Sequence, residues 1–395
     1  MQKFACMLAG AALAMLGPGS VHAQDTVKIG IINPYSGQFA DTAAQMDNAI
    51  KLYIKQHGDT VAGKKIELIR KDVGGVAPDV AKRLAQELIV RDHADILAGF
   101  DLTPNALAAG PVSAEAKKFM VVMNAATSII TTKSPYMART SSTTPQINQT
   151  LGSWAANNGI KRIYSMVSDY GPGIDAEGAF HIGVKEGGGE IVGAVHFPVS
   201  NPDFSAFVQR ALDVNPDAIY IWIPGGAQPA AVGKALAERG VDTRKIKVLG
   251  QDVLADDSAL KSLGDLALGI TTASIYNYTH DSPLNHAFVA AYRADYNRNP
   301  DIFSIGGYDG MHLIYETLKK TGGNADGEAL IAAAKGMKWE SPRGPIMIDP
   351  ETRDIVQTVY IGRVEKVGNE YHNVEFDRVE NVKDPVKERM KNEKN

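Results

Sequence analysis

The residues best suited to hold a small molecule lie in short polar loops that follow predicted strands. Ala125 and Thr127, in the run NAATS, offer approachable backbone N–H groups and a hydroxyl donor, which suits a carboxylate. Tyr170, in SDYGPG, could cover a ligand with its ring, and Asp252, in GQDV, could neutralise an ammonium group. Each has an ordinary alternative, since Thr127 and Asp252 could cap helices and Tyr170 could be a core residue.

Sequence signatures of catalysis and of metal binding are missing. The chain has no G-x-S-x-G, no H-E-x-x-H and a single cysteine. His280 and His286 are six residues apart across a predicted helix start, so they would not share one face. The acidic pair at 256–257 precedes an apolar helical run and is more typical of a helix cap. We therefore predict no enzyme, no cofactor and no metal site, although a hydrolase or lyase acting on a small carboxylate stays a rival hypothesis.

The loop at residues 33–38 joins a predicted strand to a predicted helix, as phosphate-binding loops do. It carries Gly37 alone, without the lysine of a P-loop or the glycine pattern of a dinucleotide fold. A smaller anion, or one partly balanced by its own positive charge, suits it better. We predict that it forms one wall of a ligand cleft, with Tyr35 or Phe39 beside the apolar part of the ligand.

Length and composition predict a soluble chain of two domains. The chain has 395 residues, of which 44% are hydrophobic and 22% charged. The formal net charge of −4 leaves no basic field for nucleic acid or for a lipid surface. We therefore predict neither a nucleic-acid partner nor direct membrane insertion.

The first 23 residues have the form of a secretory signal peptide. Lys3 precedes an apolar run, and Val21-His22-Ala23 places small residues at the cleavage positions. Cys6 lies inside the apolar run, which is not the position of a lipid-modified cysteine. Cleavage after Ala23 and a periplasmic location are predicted.

Predicted strands alternate with predicted helices along most of the chain. Strands are predicted at 27–32, 65–71, 95–98 and 119–123, and again at 161–168, 190–196, 217–223 and 246–249. Most are continuously apolar, which is typical of parallel sheets covered on both faces. In such sheets ligands bind at the carboxyl ends of the strands, so two units could enclose a small molecule between them. Helices predicted near 283–297 and 303–319 could form a third domain or return to the first unit.

Several longer motifs in this order resemble the periplasmic solute-binding proteins of branched-chain amino acid ABC importers, which are type I periplasmic binding proteins. They are VKIG followed by YSGQFA, then NAATS, SDYGPG, GQD, GGYDGMHLIYETLKKTGG and WESPRGPIMIDPETRD. The resemblance implies an α/β fold of two Rossmann-like lobes with parallel sheets, joined by three hinge crossovers. It places lobe 1 at residues 24–141 and 277–354 and lobe 2 at 142–276 and 355–380. A charged C-terminal tail is placed at 381–395, and its residues 383–395 are expected to fray or be disordered.

The resemblance also implies which residues hold the ligand. Ala125, Thr127, Tyr170 and Asp252 match the positions that grip the carboxylate and ammonium groups of an amino acid, and Thr103 matches the first-lobe loop. That loop departs from the family pattern by carrying Phe100 and Leu102, whose apolar surface suits aromatic or other organic carboxylates. Two further residues are predicted at the ligand from their strand-end positions: Gly225 and Tyr276.

The function predicted at this point is capture of a small carboxylate by closure of two lobes, for delivery to the membrane permease of an ABC importer. A branched-chain or other apolar amino acid is the first ligand hypothesis, and an aromatic or other organic carboxylate is the second. A periplasmic sensor subunit and a small-carboxylate enzyme are further alternatives.

Overall fold

The computed structural model describes residues 26–393, except the side chains at 257, 258 and 262. The predicted signal peptide at 1–23 lies outside the described residues. Within them the chain forms two β-sheets, each flanked by helices. We call the six-stranded sheet with the helices packed on it the first lobe, and the nine-stranded sheet with its helices the second lobe.

The first sheet is built from short, mostly buried strands in the order β2-β3-β1-β4-β5-β6. They are β1 (Thr26–Asn33), β2 (Thr60–Val61), β3 (Lys64–Asp72), β4 (Ile96–Gly99), β5 (Phe119–Val122) and β6 (Met137–Arg139). All pairings are parallel except that of β2 with β3. Every residue of β4 and β5 is buried, because helices cover both faces. Those helices include α1 (Ala40–His57), α2 (Pro78–Val90) and α3 (Thr103–Ala116).

The second sheet has the order β12-β13-β14-β11-β10-β9-β7-β8, with β15 paired to β14. Its strands are β7 (Arg162–Ser168), β8 (Glu190–Phe197), β9 (Ala218–Trp222), β10 (Lys247–Gln251), β11 (Thr271–Ser274), β12 (Lys338–Ser341), β13 (Gly344–Ile348), β14 (Ile355–Val367) and β15 (Glu370–Val382). The five strands from β7 to β11 pair in parallel, and the later four pair antiparallel. The predicted fold class, two lobes of mostly parallel sheets, is confirmed.

Helices of the second half are divided between the two lobes. The second sheet is covered by α4 (Thr144–Asn157), α5 (Gly171–Glu186), α6 (Phe204–Asp213), α7 (Gln228–Glu238) and α8 (Asp257–Leu263). The chain then forms α9 (Pro283–Tyr296), α10 (Ile302–Lys320) and α11 (Gly327–Ala334). Met311 and Leu318 of α10 and Leu330 of α11 are buried in the core of the first sheet. Tyr292 of α9 donates to Gln45 of α1 at 2.9 Å. All three helices therefore return to the first lobe and do not form a third domain.

The chain passes between the lobes after β6, after β11 and between β13 and β14. Although β13 is hydrogen-bonded to the second sheet, its Ile346 and Ile348 are buried in the core of the first lobe. Gln146, just after the first passage, is hydrogen-bonded to Ile355, at the end of the third. Its side-chain amide donates to the carbonyl of Ile355 at 2.8 Å and also to that of Val382 at 2.9 Å. The same side chain caps α4 by accepting a hydrogen bond from the Thr143 N–H, a reciprocal capping arrangement. The predicted lobe boundaries at 141, 276 and 354 fall in these passages and stay predictions.

The expectation that the tail frays is wrong for the described part of it. Residues Pro385–Asn392 form a helix, α12, capped by Asp384, whose carboxylate accepts hydrogen bonds from the N–H groups of Val386 and Lys387. The tail buries little apolar surface, as its composition indicated. Polar contacts with both lobes hold it instead: Lys391 pairs with Glu351, and Arg389 donates to Gln149 of α4.

Candidate functional site

A cavity of about 50 Å³ lies between the two lobes, at the carboxyl ends of both sets of parallel strands. This is the position at which open α/β sheets bind ligands. The first lobe and α10 contribute Asp101, Leu102, Thr103, Asn124, Ala126, Ile302 and Phe303. The second lobe and the crossovers contribute Ser142, Ile147, Tyr170, Pro172, Trp222, Ile223, Pro224, Gln251, Val253 and Ile275.

A second, open groove of about 460 Å³ is formed by α4, β15 and the start of α12. Its lining includes Trp154, Asn157 and Val379, and none of the strand-end loops reaches it. We therefore take the cavity between the lobes as the candidate ligand site.

The two lobes touch each other around the cavity. A Cβ atom built on Gly226, in the second lobe, would lie 2.6 Å from the carbonyl oxygen of Gln38 in the first. A Cβ atom on Gly171, at the start of α5, would lie 3.7 Å from the Thr127 hydroxyl oxygen. The first approach leaves no room for a side chain at residue 226, and the second is an ordinary van der Waals distance, so the structure has the lobes in contact and closed over the cavity.

Two helix N-termini meet at the cavity from opposite lobes. Leu102 is the N-cap of α3 and Tyr170 is the N-cap of α5, and neither position supplies a side-chain hydrogen bond to the helix. Leu102, Thr103, Tyr170 and Pro172 all line the cavity. Pro104 and Pro172 remove one N–H from each of these helix ends, but the positive end of each helix dipole still points to the cavity, and this arrangement favours a bound anion.

Unpartnered donors add to this preference. Thr103 Oγ1 and Trp222 Nε1 are buried without a hydrogen-bond partner, and both residues line the cavity. Buried donors usually have partners in native structures, so a ligand is the natural acceptor for these two.

Aromatic rings form much of the apolar wall. The ring centroids of Tyr170 and Trp222 are 5.8 Å apart with an interplanar angle of 50°. Phe303, from α10, faces the same cavity and approaches the backbone at Gly225, where a Cβ atom would lie 3.1 Å from its Cζ. Burial raises the pKa of the Tyr170 hydroxyl far above its ordinary value, so it remains a neutral donor. The walls suit a flat apolar group.

Asp101 is the only carboxylate among the described residues that line the cavity. Its Oδ2 accepts a hydrogen bond from Thr42 Oγ1 at 2.5 Å, and its Oδ1 accepts one from Asn124 Nδ2 at 2.7 Å. Burial raises the pKa of this carboxyl to about 6, against the lowering effect of those two hydrogen bonds.

The loop at residues 125–128 is held from behind by a buried ionic network. The Arg139 guanidinium donates to the carbonyls of Ala125 and Thr127, each at 3.0 Å, and pairs with Asp354 at 3.0 Å. Lys387 of α12 pairs with the other Asp354 oxygen at 2.6 Å. The tail helix thus contributes to the support of a loop beside the cavity.

The structure brings three of the sequence-predicted residues into the cavity lining: Leu102, Thr103 and Tyr170. Ala125, Thr127 and Gly225 adjoin lining residues in sequence. Ala125 donates its N–H to the Phe100 carbonyl at 2.9 Å, while its neighbour Ala126 lines the cavity. Thr127 lies against the start of α5, and Gly225 follows the lining residue Pro224.

The remaining aromatic candidates are placed away from the cavity lining. Phe100 has a left-handed backbone, with φ of +62°, and its side chain is buried in the core beneath α2 and α3. Tyr276 is buried at the second crossover, where its hydroxyl donates to Asn285 at 2.9 Å. Phe39 lies at the seam under Gly226, and Tyr35 packs against the core of the first sheet. In these positions the rings stabilise the lobes and their contact.

Asp252 also lies outside the lining, although Gln251 and Val253 on either side of it belong to it. Its carboxyl group lies beside Ser274, and burial, with a smaller contribution from Asp301, raises its pKa to about 7. A carboxylate held ready for a ligand ammonium group would be expected to face the cavity.

Sequence reasoning passed over several lining residues. Asp101 and Asn124 were within the strand-end loops but were not singled out, and Trp222 ends a buried strand. Phe303 comes from α10, so only the return of that helix to the first lobe could reveal it. Within residues 26–393, no cluster of metal-ligating side chains has the arrangement of a metal site.

The comparisons with known proteins agree with this geometry. Residues 26–369 match the family model described as periplasmic binding protein. The chain belongs to the periplasmic binding protein family. The predictions of this family and of a solute-binding protein are confirmed. No helix in the described part of the chain has the length and apolar character needed to span a membrane.

Relatives cover nearly the whole chain. The Leu/Ile/Val-binding protein homolog 6 of Brucella melitensis is 40% identical over 364 residues, which is 91% of this chain and 93% of that protein. The solute-binding protein of an ABC transporter from Rhodopseudomonas palustris BisB5, solved with 3,4-dihydroxybenzoic acid, is 55% identical with a TM-score of 0.89, covering 92% of this chain and 99% of its own. A solute-binding protein from strain HaA2, solved with p-hydroxybenzoic acid, is 39% identical with a TM-score of 0.88 and the same coverage.

Proposed function

We propose that this protein captures a small aromatic carboxylate between its lobes and delivers it, in the closed form, to the membrane permease of an ABC importer. The observation that carries the proposal is the closed cavity between the lobes, which combines two uncapped helix N-termini with aromatic walls. The N-termini and the Thr103 hydroxyl would hold the carboxylate, and Tyr170, Trp222 and Phe303 would enclose the ring.

Closure follows from where these groups lie. The α3 N-terminus belongs to the first lobe and the α5 N-terminus to the second, so a carboxylate between them gains contacts that exist only when the lobes meet. A ligand that binds the closed form more tightly than the open form shifts the population toward closure. A permease can then distinguish loaded from unloaded protein by shape.

The preference for an aromatic acid over an amino acid rests on two observations. Relatives at 55% and 39% identity were solved with hydroxylated benzoic acids. Asp252, the residue proposed to balance an ammonium group, does not line the cavity. The homologs named Leu/Ile/Val-binding keep a branched-chain amino acid as the second candidate ligand.

The proposal includes a periplasmic location. The signal-like sequence at residues 1–23, with cleavage after Ala23, and the family of the chain support it. It also includes the absence of turnover, because binding proteins release their ligand unchanged.

Isothermal titration calorimetry on the mature chain tests the ligand class. We expect saturable one-to-one binding of benzoate or its hydroxylated derivatives, and binding of leucine, valine and phenylalanine that is weaker by at least about 100-fold. Thr103→Val, which keeps the shape but removes the hydroxyl, should weaken binding of the preferred acid by about 5- to 20-fold. Tight leucine binding with no response to any benzoate would refute the aromatic ligand.

Transport and turnover need separate assays. Deleting the gene should abolish uptake of the labelled acid by intact cells, and complementation with the full chain should restore it. Proton NMR of the acid after prolonged incubation with the protein should show no product. Conversion of the acid would favour the enzyme alternative.

A further inference from the structure

The position of Asp101 limits what can bind beside it. Both of its oxygens accept hydrogen bonds from uncharged side chains, Thr42 and Asn124. Asn124 Nδ2 also contacts the Asp101 carbonyl at 3.1 Å, which fixes the amide in place. The carboxylate is therefore oriented but not neutralised.

The described residues that line the cavity supply no compensating cation, since none of them is lysine, arginine or histidine. The carboxylate acts on Tyr170 of the opposite lobe, since it adds to the rise that burial causes in the pKa of that hydroxyl. Asp101 and Tyr170 both line the cavity, so an anionic ligand entering it meets a second negative charge in a poorly solvated site.

A ligand that brings a hydrogen-bond donor to Asp101 offsets the repulsion between its own negative charge and the Asp101 carboxylate. A carboxylate oxygen has more than one acceptor site, so a third donor can be accommodated. An ammonium group is one possible donor, but it requires several acceptors, and the surrounding wall contains apolar residues such as Ile147, Trp222 and Ile275. A phenolic hydroxyl needs one acceptor, and its ring suits the aromatic wall.

We propose that Asp101 accepts a hydrogen bond from a ring hydroxyl of the ligand, so that the protein selects hydroxylated benzoates over benzoate itself. This rests on the proposed capture of an aromatic carboxylate and adds the chemical feature that is recognised. Asp101 would be the specificity-determining residue of the site.

Calorimetry with the unmodified mature chain gives the first test. The ligands are benzoate, 3- and 4-hydroxybenzoate, 3,4-dihydroxybenzoate and the corresponding methoxybenzoates, which keep the ring oxygen but have no hydrogen to donate. The better hydroxybenzoate should bind at least about tenfold more tightly than benzoate and than its own methoxy analogue. Equal affinity for all of these acids would overturn the inference and leave the proposed function intact.

The second test changes the protein. Asp101→Asn keeps the size of the side chain and removes its charge, so hydroxybenzoate affinity should fall at least about tenfold while benzoate affinity is maintained or rises. Asp252→Asn is the matched control, since it also neutralises a carboxyl whose pKa is raised, but one outside the cavity lining, and the ratio of the two affinities should not change.

Three results separate the possibilities. An unchanged hydroxybenzoate-to-benzoate ratio in a folded Asp101→Asn variant would overturn the inference alone. Leucine binding without any benzoate binding would overturn the proposed function and the inference together, with Asp101 then facing an ammonium group. If Asp101→Asn does not fold, the ligand series on the unmodified chain still decides.

Discussion

Replacing Gly226 by alanine tests whether contact between the lobes drives ligand binding. The new Cβ atom would lie 2.6 Å from the carbonyl oxygen of Gln38 across the seam, and 3.1 Å from Cδ1 of Phe39. Carbon atoms do not approach oxygen this closely, and the neighbour is backbone, so it cannot rotate away as a side chain would. The lobes would have to stay apart by several tenths of an ångström.

The magnitude follows from the cost of forcing an extra methyl into a packed contact, about 1–3 kcal/mol. Only the closed form has the contact, so this cost appears in ligand binding as an affinity loss of about 5- to 150-fold. Gly226 also has a left-handed backbone, with φ of +67°, for which alanine costs about 1–2 kcal/mol. That second cost applies to open and closed forms alike, so it lowers the free energy of unfolding but not the affinity.

Gly240→Ala separates the two effects. Gly240 has a φ of +65° and nothing within 4 Å of an added Cβ, so it carries the same backbone cost without the contact. Calorimetry with the preferred acid and small-angle scattering with and without it would be measured for both variants. Gly226→Ala should bind weakly and compact less on ligand addition, whereas Gly240→Ala should match the unmodified protein. An affinity within twofold of the unmodified protein for Gly226→Ala would refute closure across this seam.

Three further predictions concern Asp354, Tyr170 and Asp252. Asp354→Ala leaves the Arg139 guanidinium, which is 0% exposed, without its counter-charge. The free energy of unfolding, measured in urea, should therefore fall by about 3–5 kcal/mol. In calorimetry, Tyr170→Phe should keep ligand affinity within about threefold of the unmodified protein, whereas Tyr170→Ala should lower it at least about tenfold. The reason is that the ring of Tyr170, and not its hydroxyl, makes the contact with the ligand. Burial raises the pKa of Asp252 to about 7, so the folded state favours its protonated form, and the stability this provides is lost as pH rises through 7. At pH 8, Asp252→Asn should therefore have a higher melting temperature than the unmodified protein, with a gain of at most about 4 kcal/mol in the free energy of unfolding. The stability of this variant should also depend less on pH between 5 and 8.

Each of these predictions has its own check. Glu365→Ala breaks an exposed pair with Arg363 and should cost less than about 1 kcal/mol, so a similar loss in Asp354→Ala would contradict the burial argument. Equal binding by Tyr170→Ala would show that its ring is not part of the ligand contact. A melting temperature of Asp252→Asn below that of the unmodified protein at pH 8 would mean that the ionised carboxylate is stabilising.

Some features of the site could be read along the chain because they depend on neighbours in sequence. Continuous apolar runs predicted strands buried on both faces, and polar loops after them predicted the edge where ligands bind. Tyr170 was predicted from such a loop, Leu102 and Thr103 from the family resemblance of another, and all three line the cavity. Local pattern could not tell Phe100 from a cavity residue, because a left-handed backbone at that single position directs its side chain into the core.

The amino-acid sequence by itself determined the alternation of strands and helices, the paired α/β units and the loops at their strand ends, because burial and turn formation act over a few residues. The tertiary structure decided which side chains share the cavity. Phe303 reaches it only because α10 returns to the first lobe, and Asp252 is kept out of the lining although its two neighbours belong to it. It also ordered the charged tail, since the partners of Lys387 and Arg389 lie far away in sequence. Such contacts depend on how the two lobes and the crossovers are arranged in space, and no local pattern of residues encodes that arrangement.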